Sequence, residues 1–325
     1  MCPAAWRRLN GRWRGRLPRD DVGAAAADAP VEIMTDASLP FEGVLNIDKP
    51  LRLTSHDVVS QVRRVGHMRR VGHAGTLDPL ATGVLLIFLG RATRLIEYVA
   101  EQRKTYETTI HLGLETDTYD ADGTVVATRP VAVSAADVSA ALHAFRGDIA
   151  QVPPMYSALK KDGQPLYKLA RRGIEVARPA RPVTIYELDL LSCELPQVRL
   201  RVVCSAGTYI RSLAHDLGQT LGCGGHVTAL RRTAIGPFTV GEATPLAALN
   251  PETLPHYLLP GDVAVRHLPQ MTLSAEEAAH LRQGRRWPRL PRQPEAPLAR
   301  VYDEVGTFLG LAAAADGEWQ PRKVF

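Results

Sequence analysis

Twelve residues, Gly72-His73-Ala74-Gly75-Thr76-Leu77-Asp78-Pro79-Leu80-Ala81-Thr82-Gly83, set one carboxylate among glycines and a proline, directly ahead of the apolar run 84–89. Glycine and proline mark an irregular loop, and a loop that feeds a buried strand presents its side chains on a rigid base. Two roles are open to Asp78 in that setting. A short carboxylate can bond its own backbone as a turn former, or it can serve as nucleophile or base. A second acidic group, Asp117-Thr-Tyr-Asp120-Ala-Asp122-Gly123, invites comparison with a calcium loop. With Gly123 on the loop glycine, Thr118 falls on the first ligand position and Arg129 where a bidentate Glu belongs. Calcium fails on both counts, and a capped turn of carboxylates is the better reading. Cys223 and His226 are spaced like two zinc ligands, with no second pair beside them. No metal is expected.

These groups need elements to hold them. A short strand at 44–47 runs into Asp48-Lys49-Pro50, and Thr54 or Ser55 then caps a helix whose Val58, Val59, Val62 and Val65 share one face, with Gly66 at its end. Residues 84–89 read as a buried strand, and 105–112 as another rich in β-branched residues. Ser134 caps a helix with Val138, Ala141, Leu142 and Phe145 inward and Gly147 as its terminator. Segments 183–191 and 198–204 read as paired strands. Beyond Gly207, the residues Ile210, Leu213, Ala214, Leu217 and Leu221 follow the helical period, which leaves Arg211 and His215 off the apolar stripe. Strands and helices alternate without a βαβ rhythm, so the fold class is α+β, a mixed sheet with flanking helices rather than a doubly wound one. After about residue 250 prolines cut the chain into short pieces. Ser274 and Glu277 form a capping box for a short helix ending at Gly284, and two short strands flank Gly306 within 300–311.

With 325 residues the chain is long enough for two domains. We divide it into an extension over 1–40, a main domain over 41–264 and a small β-rich domain over 265–325. The extension holds six arginines from Arg7 to Arg19 and then an Ala-rich stretch without hydrophobic periodicity, so disorder is expected there. It has no apolar core of a secretory signal. Organised sequence begins near Phe41, which makes Met34 a candidate for the true start. No apolar run approaches the ~18 residues of a membrane span. The net charge of +5, carried by 33 Arg against 6 Lys, suits a polyanionic partner, although codon bias gives the same excess. Four cysteines without a Cys-x-x-Cys pair fit a reducing cytoplasm. The phosphate loop, the dinucleotide glycine motif, His-Glu-x-x-His and Gly-x-Ser-x-Gly are all absent, which weakens the ATPase, dinucleotide-enzyme, zincin and α/β-hydrolase readings.

The twelve residues around Asp78 resemble the motif that carries the essential aspartate of the pseudouridine synthases, specifically the bacterial tRNA pseudouridine synthase B family. The likeness runs in order from residue 43 to about 246. It takes in Gly43-Val-Leu-Asn-Ile-Asp-Lys49-Pro50, the acidic segment from Thr116 to Gly123, Pro153-Pro-Met-Tyr-Ser-Ala-Leu-Lys160, Gly207-Thr-Tyr-Ile-Arg211 and His226-Val-Thr-Ala-Leu-Arg-Arg232. The tail after about 265 is similar to the PUA RNA-binding domain that ends many members. The first 33 residues have no counterpart in the pattern.

The resemblance implies isomerisation of uridine 55 in the T loop of tRNA, with no cofactor and no metal. It implies Asp78 as the essential carboxylate, nucleophile or base, with Arg211 as the partner that orients it. Tyr106 matches the tyrosine that stacks on the target base and assists loss of the C5 proton. Tyr209 and Leu230 match the walls of the uridine pocket, His73 the histidine that holds the remodelled loop, and Lys49 a further substrate contact. Arg63, Arg64, Arg69 and Arg70 form a candidate phosphate track beside the loop, with a solvated helix face as the alternative. The expected partner is the T arm of tRNA; no membrane or protein partner is implied, and a monomer is the default. Two alternatives stay open: an RNA-binding chaperone that folds tRNA with dispensable catalysis, and a guide-dependent relative, which the residues Leu80 to Gly83 disfavour.

Overall fold

The computed structural model describes residues 41–157, 159–161 and 163–325. The expectations for the Arg-rich stretch and for a start at Met34 lie outside the described residues. The strand Ala81–Leu89 organises the fold. Leu85, Ile87 and Leu89 enter one hydrophobic cluster, while Val84, Leu86 and Phe88 enter another on the opposite face. Burial on both faces is why this segment reads as an unbroken apolar run instead of an alternating one.

Around it lies a ten-stranded mixed sheet in the order Thr244–Pro245, Gly43–Lys49, Ala81–Leu89, Gly225–Ile235, Lys104–Leu112, Gln197–Cys204, Arg181–Glu194, Gly147–Gln151, with Val71–Ala74 and Phe238–Thr239 paired off this path. Two pairings are parallel, Gly43–Lys49 with Thr244–Pro245 and Ala81–Leu89 with Gly225–Ile235, and the rest are antiparallel. The expected α+β class is what forms. Lys104–Leu112 alternates buried and half-buried along its length, as a strand with one face on a core must.

Two helices cover the site face. Ser55–Val65 begins at a Thr54 capping box and buries Val58, Val59 and Val62. Ile210–Thr220 packs Ile210, Leu213, Ala214 and Leu217 into the same cluster. The helix capped by Ser134, Ala135–Ala141, tightens into a 3₁₀ turn at Leu142–Phe145. Gly147 is not its terminator. It opens the next strand, at φ +81°.

The C-terminal segment forms a separate five-stranded sheet, Gln270–Thr272, Leu298–Tyr302, Phe308–Ala315, Glu318–Val324 and Trp287–Pro288, with the helix Ala275–Arg282 beside it behind the expected Ser274 capping box. Trp287 and Trp319 fill its core, and the Trp319 indole donates to Gln293 Oε1 at 2.8 Å. Leu311 joins the second cluster of the main sheet, and Arg94 Nη1 donates to Val324 O at 2.7 Å. Among the described residues no helix is long and apolar enough to cross a membrane.

Candidate active site

The loop that carries Asp78 is fixed from both sides. Ser55, the first residue of its helix, accepts from Leu77 N at 2.8 Å, and its hydroxyl lies 3.2 Å from Leu77 O. Beyond Asp78, Ala81 N donates to Asp78 O at 3.0 Å and Arg52 N to Pro79 O at 2.8 Å. With the loop backbone pinned on either side by these bonds, Asp78 borders a cavity of about 260 Å³ with its side chain. Ser55→Ala removes both bonds to Leu77 and is expected to cost about 1–3 kcal/mol of stability, as an unsatisfied buried pair does. The single-turnover rate should fall about ten-fold while RNA affinity holds, because a loosened loop misplaces the carboxylate. An unchanged rate in a stopped-time assay would show that the clamp is dispensable.

A second clamp sets Arg211. Gln151 accepts from Tyr209 N at 2.7 Å and donates to Tyr209 O at 3.0 Å, anchoring the residue ahead of the helix Ile210–Thr220. Off the apolar stripe does not mean exposed: the Arg211 side chain is 4% exposed. Its Nε stands 2.9 Å from Asp78 Oδ2, an ion-pair contact without the alignment of a hydrogen bond. Nη1 lies 3.3 Å from Asp120 Oδ2 and donates to Thr118 O at 3.1 Å, and Nη2 donates to Tyr156 O at 2.8 Å. One guanidinium thus joins two carboxylates that the sequence separates.

Asp120 is the residue that sequence reasoning missed. The acidic segment is a turn, as expected: Asp120 Oδ1 takes the Thr118 hydroxyl at 2.6 Å and Asp122 N at 3.1 Å. Its other oxygen faces Arg211. Burial pushes the Asp120 carboxyl above its usual range, and the Thr118 hydrogen bond and the Arg211 charge oppose that rise. A backbone bond from Val227 N to Tyr119 O, 3.0 Å, docks the turn on the sheet.

The cavity floor comes from one face of the sheet. Lys104, Tyr106 and Thr108 alternate along one strand, with Leu230 and Arg232 directly opposite Thr108 and Tyr106 on the next. Asp78, Lys104, Tyr106, Tyr209, Arg211, Leu230 and Arg232 all border the cavity. Burial pushes the Tyr106 phenol up, and the charge of Arg232 beside it pulls it part of the way back. The Tyr209 phenol is also raised by burial. Burial, reinforced by the Arg232 charge, lowers the Lys104 ammonium to about 8.

Two expected contacts fall outside this cavity. The side chain of Lys49 is fully buried, and its Nζ donates to Leu53 O at 2.5 Å and Pro50 O at 2.9 Å. It ties the turn that leads into the helix of Ser55, so it is a support beneath the loop and is not placed as a substrate contact. Burial lowers its ammonium to about 8, with the Asp78 charge acting the other way. Between pH 8 and 10.5 the unfolded chain therefore holds the Lys49 proton that the folded chain has released, and stability rises with pH across that window. Urea unfolding of Lys49→Met should show a shallower rise from about pH 8 to 9.5 than wild type; equal slopes would mean that this lysine carries no such penalty. His73 stands on Val71–Ala74 outside the lining, and its Nδ1 is buried without a hydrogen-bond partner among the described residues. Of the four arginines beside the loop, Arg63 donates to Val71 O at 2.9 Å and Arg70 to the Thr93 hydroxyl at 3.1 Å, while Arg64 and Arg69 are exposed. The first two serve the scaffold.

Residues 63–210 match the TruB family pseudouridylate synthase N-terminal domain. Residues 211–266 match the tRNA pseudouridylate synthase B C-terminal domain, and 269–325 the C-terminal domain of pseudouridine synthase II TruB. The chain is 50% identical over 289 residues to tRNA pseudouridine synthase B of Aromatoleum aromaticum, an alignment spanning 87% of this chain and 92% of that protein. It belongs to the TruB family of pseudouridylate synthases. The tRNA pseudouridine synthase B of Pseudomonas aeruginosa UCBPP-PA14 is 47% identical, over 87% of this chain and 96% of its own. Among solved structures, an H/ACA RNP bound to a substrate RNA containing 2'-deoxyuridine superposes with a TM-score of 0.67 at 25% identity, covering 91% of this chain and 89% of that one. The TruB assignment accounts for the order of motifs along the chain, and the expected α+β class agrees with it.

Proposed function

We propose that this TruB protein is an isomerase that converts uridine 55 in the T loop of tRNA to pseudouridine, with Asp78 as its essential carboxylate. The observation that carries this reading is the Asp78–Arg211 pair opening onto a cavity whose floor is Tyr106 and Leu230. In the reaction the N1–C1′ bond breaks, the uracil turns, and C5 bonds to C1′. C5 loses a proton and N1 gains one, so nothing is consumed. The chemistry calls for a carboxylate at C1′, a slot that holds a free base while it turns, and a group near C5.

Asp78 supplies the first. Its side chain is 35% exposed, open to the cavity and backed by Arg211. The ring of Tyr106 and the side chain of Leu230 supply the apolar slot, with Tyr209 at its rim, and the Tyr106 hydroxyl is the group near C5. A uridine reaches this depth only when extruded from its stack, at a cost of a few kcal/mol recovered through contacts to the base and the backbone. Arg64 and Arg69 are exposed beside the loop to meet phosphates, and the β-rich segment 265–325 adds a PUA-like grip on tRNA. His73 holds the remodelled loop from Val71–Ala74. The protein acts as a monomer in the cytoplasm. The guide-dependent reading is disfavoured by identities of 44–50% to proteins named tRNA pseudouridine synthase B against 25–28% to the solved H/ACA RNP and the Cbf5-Nop10-Gar1 complex.

The test is direct. Purified protein is incubated with an unmodified tRNA transcript in EDTA, and pseudouridine is mapped by carbodiimide labelling and primer extension. One new stop, in the T loop, is expected. A stop elsewhere would move the target, and no stop with tight binding retained would favour an RNA-folding chaperone.

A further inference from the structure

Beneath the cavity lies a buried arginine that the proposed mechanism leaves without a task. Arg232 is 1% exposed, and its hydrogen bonds go to two backbone carbonyls. Nε donates to Val84 O at 2.7 Å, and Nη2 to Gly75 O at 2.9 Å. Val84 lies on the strand that leaves the Asp78 loop, and Gly75 is the residue that enters it. In the antiparallel ladder Arg232 sits opposite Tyr106, so both side chains rise from the same face, and the guanidinium sets its charge beside the Tyr106 phenol.

The fit around it is close. Gly75, at φ +76°, lies against it, and a Cβ there would stand 3.4 Å from Arg232 Nη1. Gly83, at φ +99°, faces Arg232 across the parallel ladder, and a Cβ there would fall 2.1 Å from the Arg232 carbonyl oxygen. At Gly83 the close approach itself excludes a side chain, while at Gly75 the positive φ is what asks for glycine. A planar fork with several fixed donors can bind two carbonyls in different directions and still hold its charge beside a phenol, which an ammonium on a flexible stem does not reproduce.

We propose that Arg232 is a positioning residue of the reaction, holding the Tyr106 hydroxyl and the Gly75 end of the catalytic loop in one frame so that the hydroxyl meets the base at C5. The inference rests on the proposed action of Tyr106 at C5. It predicts that losing the fork slows removal of the C5 hydrogen in particular, beyond any general loosening of the loop.

Full-length wild type, Arg232→Lys, Arg232→Met and Tyr106→Phe are compared in single-turnover assays on tRNA transcripts carrying hydrogen or deuterium at uridine C5, with tRNA affinity and thermal unfolding measured alongside. For Arg232→Lys we expect a folded protein, tRNA affinity within about three-fold, a rate lower by about 100-fold, the scale of a misplaced catalytic group, and a C5 isotope effect larger than that of wild type. Arg232→Met is expected to be slower still. A rate fully restored by Lys would show that a point charge suffices and would overturn the proposal. So would a slow variant whose isotope effect equals that of wild type, or a Lys variant that does not fold, since either assigns Arg232 to the scaffold alone. Tyr106→Phe separates the two roles. If it leaves rate and isotope effect unchanged, Tyr106 does not act at C5 and the reading of the site fails with it; if it raises the isotope effect while Arg232→Lys does not, only the positioning role of Arg232 fails.

Discussion

Asp78→Asn is expected to abolish pseudouridine formation, by at least about 10⁴-fold or roughly 5.5 kcal/mol of transition-state stabilisation, while tRNA binding stays within a few-fold. The amide is the same size and keeps the loop bonds through Ser55, Arg52 and Ala81, which are made by backbone atoms on either side of the substituted side chain. It has no carboxylate to attack C1′ or to take a proton. Removing a negative charge from a surface that meets a polyanion does not weaken the complex, so affinity and turnover must separate. Filter binding and single-turnover kinetics on one transcript measure both. Product formed at anything near the wild-type rate would sink the assignment of Asp78 as the essential carboxylate.

Much of this site was legible because its residues lie in short motifs that keep their neighbours. Asp78, Tyr106, Tyr209, Arg211 and Leu230, each picked out by its motif, converge on one cavity. The strands that hold them were legible for simpler reasons, burial on both faces for Ala81–Leu89 and β-branched alternation for Lys104–Leu112. What stayed hidden was pairing across the chain. Helical periodicity sorted Arg211 to the outside of its helix, because the period measures apolar packing and is blind to a carboxylate arriving from a turn far upstream. Gly225–Ile235 gave no strand signal at its Arg231-Arg232 pair, since one arginine leaves the sheet to meet Asp48 at 2.7 Å and the other is buried beneath the cavity. Lys49 matched a motif and sat beside the site in sequence, yet its ammonium is spent on two carbonyls below it. In the C-terminal sheet the strand Glu318–Val324 carries a proline and three charges, which conceal a strand whose partner is a run of alanines.

Arg211→Lys is expected to lower the single-turnover rate by about 10²–10³-fold, the loss that follows when a catalytic group is no longer held in place, with tRNA affinity changed by only a few-fold. Arg211 contacts four acceptors in three directions: Asp78, Asp120, Thr118 O and Tyr156 O. A lysine reaching the same place brings three donors from one point and must give up at least one of them. The acceptor it abandons decides the phenotype. If Asp120 is lost, a carboxylate 7% exposed is left unpaired, and stability falls. If Asp78 is lost, the catalytic side chain swings. Arg211→Met leaves both carboxylates uncompensated and is expected to cost about 3–5 kcal/mol of stability, the scale for breaking a buried ion pair from one side. Asp120→Asn tests the same network from the far end. Its oxygen can still accept from Thr118 and Asp122 N, but the amide NH₂ then faces the guanidinium, donor against donor, and Arg211 loses its second anchor. A rate loss of about ten-fold or more with the fold intact is expected there, since Asp120 does not line the cavity and acts only through Arg211. Equal losses of turnover and binding in the Arg211→Lys protein would instead make Arg211 a phosphate contact, and wild-type turnover in Asp120→Asn would reduce the second carboxylate to a turn former.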